Sequence, residues 1–154
     1  MQRTVCALLG VFLLIEMSYA GVGSKNTIYV GGTITSIKAG SEGKSSISDE
    51  KVFVFEHKKD KLNIPYSKMN SLEYGQKAGR RVAMAILLSP IALFSKKRKH
   101  YLTVNYLDDN EKQQAVVFEL GKDVVRVTLA SLEARSGQKI EYQDEEARKS
   151  SKGN

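Results

Sequence analysis

Side chains able to do chemistry are sparse along this chain of 154 residues, and their spacing assembles no recognisable centre. The two histidines, His57 and His100, lie far apart and each stands beside lysines. The single cysteine, Cys6, falls within an apolar leader. Metal binding needs clustered ligands, so the sequence predicts no metal site. Glu42, Asp49, Glu50, Glu56, Asp60 and Glu73 are scattered over loops and strand ends, with no carboxylate pair for acid–base work. Serines are plentiful, but none sits in a nucleophile elbow. Gly31-Gly32 is not followed by a lysine and a helix start, so it is no phosphate loop. The expectation is a non-enzymatic chain with no cofactor.

The residues that do carry a chemical message are bases around an apolar run. Positions 80–100 hold Arg80 and Arg81, then an apolar stretch from Val82 to Phe94, then Lys96, Lys97, Arg98 and Lys99. As one helix, Val82–Phe94 would extend only about 20 Å, against roughly 30 Å of bilayer hydrocarbon. Ser89-Pro90 in its middle favours a break. Cationic flanks on both sides keep both ends on one side of a membrane. A helical hairpin or a bent interfacial insertion fits these constraints, with Val82, Ile86, Leu87, Leu88, Ile91, Leu93 and Phe94 entering lipid and Arg80, Arg81, Lys96, Lys97, Arg98 and Lys99 attracting headgroups. On an insertion scale the apolar residues contribute roughly 2–4 kcal/mol together. Each flanking base adds up to about 1 kcal/mol at an anionic surface, screened by salt. Together the two contributions support reversible binding.

The same run suits burial in protein. A stretch of this length is also what a core helix, a partner interface or a homo-oligomer contact looks like. Lys96–Lys99 beside Tyr101 resembles a nucleic-acid patch in composition, but the adjacent apolar run and an exported setting count against nucleic acid. The expected partner is an anionic membrane surface, with a protein partner or a second copy as the alternative.

The export setting rests on the first twenty residues. Arg3 precedes the apolar run Val5–Ile15, and Ser18-Tyr19-Ala20 supplies small residues where a signal peptidase reads. The expectation is a signal peptide at 1–20 and an exported chain, periplasmic or envelope-associated if bacterial. Cleavage would remove the cysteine, leaving no disulfide and a fold dependent on its apolar core. The formal net charge is +7. The leader carries one charge of each sign, Arg3 and Glu16, so its removal leaves the basic excess, which favours anionic partners.

The elements that must position this segment read as strands followed by a helix. Residues 21–26 form a flexible lead-in. Thr27–Ile37 is rich in β-branched residues, and its Gly31-Gly32 pair suggests a bulge or sharp bend. Lys38–Glu50 reads as a solvated loop, and Lys51–Glu56 as a strand apolar on both faces. Leu62–Tyr66 and Ser67–Tyr74 follow, with Pro65 expected near a strand end. Tyr101–Leu107 and Gln114–Leu120 read as an antiparallel pair across the Asp108–Glu111 turn. A helix is expected over Lys122–Ser136, with Val125, Leu129 and Leu132 on one face, Asp123 at its start, Arg135 at its end and Gly137 as its cap. Lys139–Tyr142 adds a short extended piece, and 143–154 reads as a charged, fraying or isolated tail. The fold class is β-rich (α+β): a small, bent antiparallel sheet or partly open barrel over 27–142, closed by a C-terminal amphipathic helix and interrupted by the 80–100 insertion.

This strand series, the passage from Ile64-Pro65-Tyr66 to Ser71-Leu72-Glu73-Tyr74 and the closing helix resemble the pleckstrin-homology-like superfold, GRAM-like variants included. Tyr101–Gly137 is also similar to a stretch found in uncharacterised bacterial exported proteins. The resemblance implies a fold that binds phosphoinositides, peptides or proteins. The first hairpin has no basic pair onto which a phosphoinositide site could be carried.

Overall fold

The computed structural model describes residues 23–76 and 99–152. They form one open, strongly curled sheet of eight strands, a half-barrel with helical structure at its C-terminal end. The strands are β1 (Gly23–Gly32), β2 (Ser41–Ser46), β3 (Val52–His57), β4 (Asp60–Pro65), β5 (Met69–Gly75), β6 (His100–Leu107), β7 (Gln113–Leu120) and β8 (Ile140–Tyr142). Helix α1 covers Val125–Ser136 and α2 covers Glu145–Ser151. The spatial order is β4-β3-β2-β1-β7-β6-β5-β8. β1 joins two meanders, pairing with β2 on one side and β7 on the other, both antiparallel. Only β8 runs parallel to its neighbour, β5.

Alternation decides which residues fill the curl. β6 turns Leu102, Val104 and Tyr106 inward, and β7 turns Val116, Phe118 and Leu120 to meet them. Tyr29, Phe53, Phe55 and Phe118 cluster with ring centroids 5.2–6.3 Å apart. Val125, Leu129 and Leu132 of α1 close this core, as their spacing predicts. Gly137 stops the helix in the left-handed region at φ 72°, its N–H donating to the Glu133 carbonyl. Asp123 precedes the helix, whose N-cap is Val124.

Several local expectations meet the structure directly. Register shifts between Tyr29 and Gly31, so the bulge falls at Val30, just before the glycine pair, whose two residues pair regularly with Val117 and Val116. Pro65 is the last residue of β4. A two-residue turn, Lys58-Lys59, joins β3 to β4, with Lys58 at φ 54°. The expected loop at Lys38–Glu50 differs, because β2 lies within it. Its sequence, Ser-Glu-Gly-Lys-Ser-Ser, lacks strand-forming side chains, and pairing with β1 and β3 holds it extended. Ser67–Tyr74 also divides: a 3-10 turn at Tyr66–Lys68 precedes β5.

The charged tail differs most. Asp144 accepts a hydrogen bond from the Ala147 N–H at 2.7 Å, capping α2, and Glu145 and Glu146 favour its positive end. Ala147 and Ser151 are buried, so this short helix packs on the domain.

Candidate functional site

The candidate segment leaves the sheet after β5 and returns at β6. These strands are antiparallel neighbours, with Tyr74 opposite Leu102 and Gly75 opposite Tyr101. Departure and return are therefore at one end of one strand pair. Of the thirteen residues read as membrane-facing, Lys99 alone falls among those described. Arg80, Arg81, Val82, Ile86, Leu87, Leu88, Ile91, Leu93, Phe94, Lys96, Lys97 and Arg98 lie outside the described residues, as do the leader and the 21–22 portion of the lead-in.

Lys99 is engaged with the sheet. Its Nζ lies 2.7 Å from Glu119 Oε2, with both side chains under a third exposed. The hydrogen bond to Glu119 raises the Lys99 pKa, against the opposing effect of partial burial.

His100, the first residue of β6, is not simply the end of the basic run. Its Nδ1 lies 2.5 Å from the Tyr74 hydroxyl, and the two rings are nearly parallel. The Tyr74 hydroxyl also meets Ser150 Oγ of α2 at 3.2 Å, and its ring meets Tyr142 of β8 edge-on. Burial raises the Tyr74 pKa and lowers that of His100, the latter with help from the Lys122 charge. Gln143 continues the β8 contact, donating from its backbone N–H to the Tyr74 carbonyl and from Nε2 to Glu73. Strand β8 and helix α2 thus fasten the edge of the sheet at the root of the segment. Sequence reasoning missed this cluster; the only available signal was that Tyr74 and His100 bracket the apolar excursion.

The opposite face of the central strands is also apolar. Val30, Tyr101, Thr103, Ala115 and Val117 are all buried, although alternation turns them away from the core-facing Leu102, Val104, Val116 and Phe118. His57 ends β3 and lies 2.6 Å from the Glu42 carbonyl through Nδ1. Among the described residues no group of three or more metal-ligating side chains comes together. A shallow polar groove of about 430 Å³ runs between Lys44, Ser46, Asp49, Glu56 and Lys61, where Glu56 and Lys61 pair with each other at 3.2 Å. The chain matches no family model and no curated protein.

Proposed function

We propose that this chain is an exported, non-enzymatic, pleckstrin-like domain that associates peripherally with anionic membranes. Val82–Phe94 inserts, and the bases at 80–81 and 96–98 attract headgroups. The observation that carries this reading is the pairing of Gly75 with Tyr101. It sets the residues where the segment leaves and re-enters the sheet side by side, which supports an insertion that enters and leaves on one side of a bilayer. The described fold adds support, because it already contains an extensive core of its own. Among the described residues Val127 is the one large hydrophobic side chain that is exposed, at 37%. Lys99 contributes less to headgroup attraction in this reading, since Glu119 holds it.

A second reading has its own observation. Val30, Tyr101, Ala115 and Val117, on the outer face of the central strands, are already buried within one chain, which supports burial of apolar chain against protein in place of lipid insertion. Strand addition is less suited to this fold. Edge strand β4 carries Asp60, Lys61 and Pro65, residues that discourage pairing.

Co-sedimentation of Gly21–Asn154 with anionic and neutral vesicles, at low and high salt, separates these readings. The membrane reading expects a preference for anionic vesicles that weakens with salt and is lost when Leu87, Leu88 and Phe94 are made polar. Absence of binding to either vesicle rejects it, and concentration-dependent self-association would then favour the protein interface.

A further inference from the structure

An antiparallel sheet with one solvated face carries polar side chains on that face. The central strands depart from this rule. Tyr101 and Thr103 of β6, and Ala115 and Val117 of β7, alternate with inner-core residues, and Val30 of β1 stands outside the core beside them. All five are buried, Val117 to 1% exposure, Val30 to 3% and Tyr101 to 5%. Neither helix supplies this cover. The apolar residues that α1 and α2 bury, Val125, Leu129, Leu132 and Ala147, all belong to the inner core, in which none of the five takes part. Thr33, just after β1, reaches the end far from Tyr101, its hydroxyl accepting from the Ala115 N–H at 3.1 Å.

We propose that this outer face of β1, β7 and β6 is the seat of the chain's own apolar segment, Val82–Phe94. The proposal rests on the second reading above and gives it a place in the fold. Chain continuity is the first argument for this occupant. His100 pairs with the inner-core Leu120, so alternation puts its neighbours Lys99 and Tyr101 on the outer side. Lys99 is bonded there to Glu119, the residue paired with Tyr101, which pins the returning chain at the margin of the patch. Charge is the second argument. Glu73 lies between the inward Leu72 and Tyr74 and opposite Thr103, so Glu73 and Glu119 set a carboxylate on each side of the patch. Those two carboxylates complement the bases Arg80, Arg81, Lys96, Lys97 and Arg98 that bracket the segment. Length is the third: a helix of about 20 Å matches roughly six residues of strand, within the eight of β6. The leader is placed less well, since it joins β1 at Gly23, opposite Ser46 of β2, and β1 first meets β7 at Ile28.

Two measurements on the full chain test the seat without lipid, so vesicle binding bears on the membrane reading alone. Methyl NMR should show nuclear Overhauser contacts from Ala115 and Val117 to Ile86, Leu87, Leu88, Ile91 or Leu93. A mixture of differently labelled copies separates contacts within one molecule from contacts between two. Contacts to Val5–Ile15 instead overturn the proposal in favour of the leader. Contacts only between copies overturn it too, while leaving burial of the segment against protein intact. A segment that touches no protein methyl rejects that second reading as well. The other measurement uses the double variant Leu87→Asp, Leu88→Asp, which leaves the inner core unchanged. A soluble paramagnetic reagent should broaden its Ala115 and Val117 methyl signals several-fold more than in the unsubstituted chain, with Val104 and Leu129 protected in both. Equal broadening of Ala115 and Val117 in the two chains overturns the seat.

Discussion

Lys99, the residue before β6, and Glu119 of β7 form an ion pair, 2.7 Å apart, where the candidate segment rejoins the sheet. A lysine already hydrogen-bonded to a partly buried carboxylate has less charge to offer a headgroup than a free one. Lys99→Ala should therefore reduce vesicle affinity less than Arg98→Ala does. It should also lower folding stability by about 1 kcal/mol, because Glu119 loses its partner in a half-buried position. Equal losses of vesicle affinity in the two variants would place Lys99 among the headgroup ligands.

The contrast between Lys99 and His100 shows what local pattern can and cannot reveal. β3, β6, β7 and α1 were legible because alternation, the four-and-three apolar spacing and the Gly137 cap are written in neighbouring residues. β2 was not, since Ser41–Ser46 is extended through pairing with strands on both sides. Helix α2 was hidden by its charge: Glu145, Glu146, Arg148 and Lys149 face outward, while Ala147 and Ser151 make its buried side. Likewise, His100 reads as part of a basic run until β5 brings Tyr74 beside it. Contacts between distant parts of the chain leave little local signature, and the root of the segment is made of such contacts.

Gly43 shows how tightly β2 is held. A Cβ at this position would lie 2.3 Å from the Glu56 carbonyl oxygen and 2.7 Å from Cζ of the Phe55 ring. The first obstacle is backbone and the second is a fully buried ring, so neither can yield without shifting β3. Gly43→Ala should lower stability by roughly 1–3 kcal/mol or more, measured by urea denaturation. Gly40→Ala provides a contrast: that site is open, and its cost comes from the left-handed backbone at φ 83°. A neutral Gly43→Ala would mean that β2 is not held against Phe55 in solution.

Arg135 ties the end of α1 to the opposite meander. Its Nη1 donates to the carbonyls of Ile47 and Asp49 and to the Tyr66 hydroxyl, and the guanidinium lies over the Tyr66 ring, 5.5 Å from its centroid. Sequence reasoning placed Arg135 favourably at the helix end; the structure adds a single nitrogen, Nη1, that reaches both the β2–β3 loop and Tyr66. Arg135→Ala should cost about 2 kcal/mol in chemical denaturation, from the hydrogen bonds and the ring contact together. Arg135→Lys should recover only part of that, because an ammonium cannot lie flat over the Tyr66 ring as the guanidinium does. Full recovery by lysine would reduce the residue's role to its charge alone.

Tyr29 and Tyr106 make the fold sensitive to alkali. Burial raises both pKa values to about 12, against a model-peptide value near 10. A folded-state pKa above the unfolded one means that the native chain retains protons which the unfolded chain has lost. The stabilisation is therefore complete below about pH 10 and declines as pH rises from there toward 12. Tyrosinate absorbance and circular dichroism followed together should show these two rings ionising as the sheet unfolds. Tyr106→Phe removes one of the two ionisations and should make the alkaline transition shallower. If both rings titrate near pH 10 with the sheet intact, water reaches the inner end of the curl and the core there is looser than Tyr29, donating to the Ile34 carbonyl at 3.0 Å, implies.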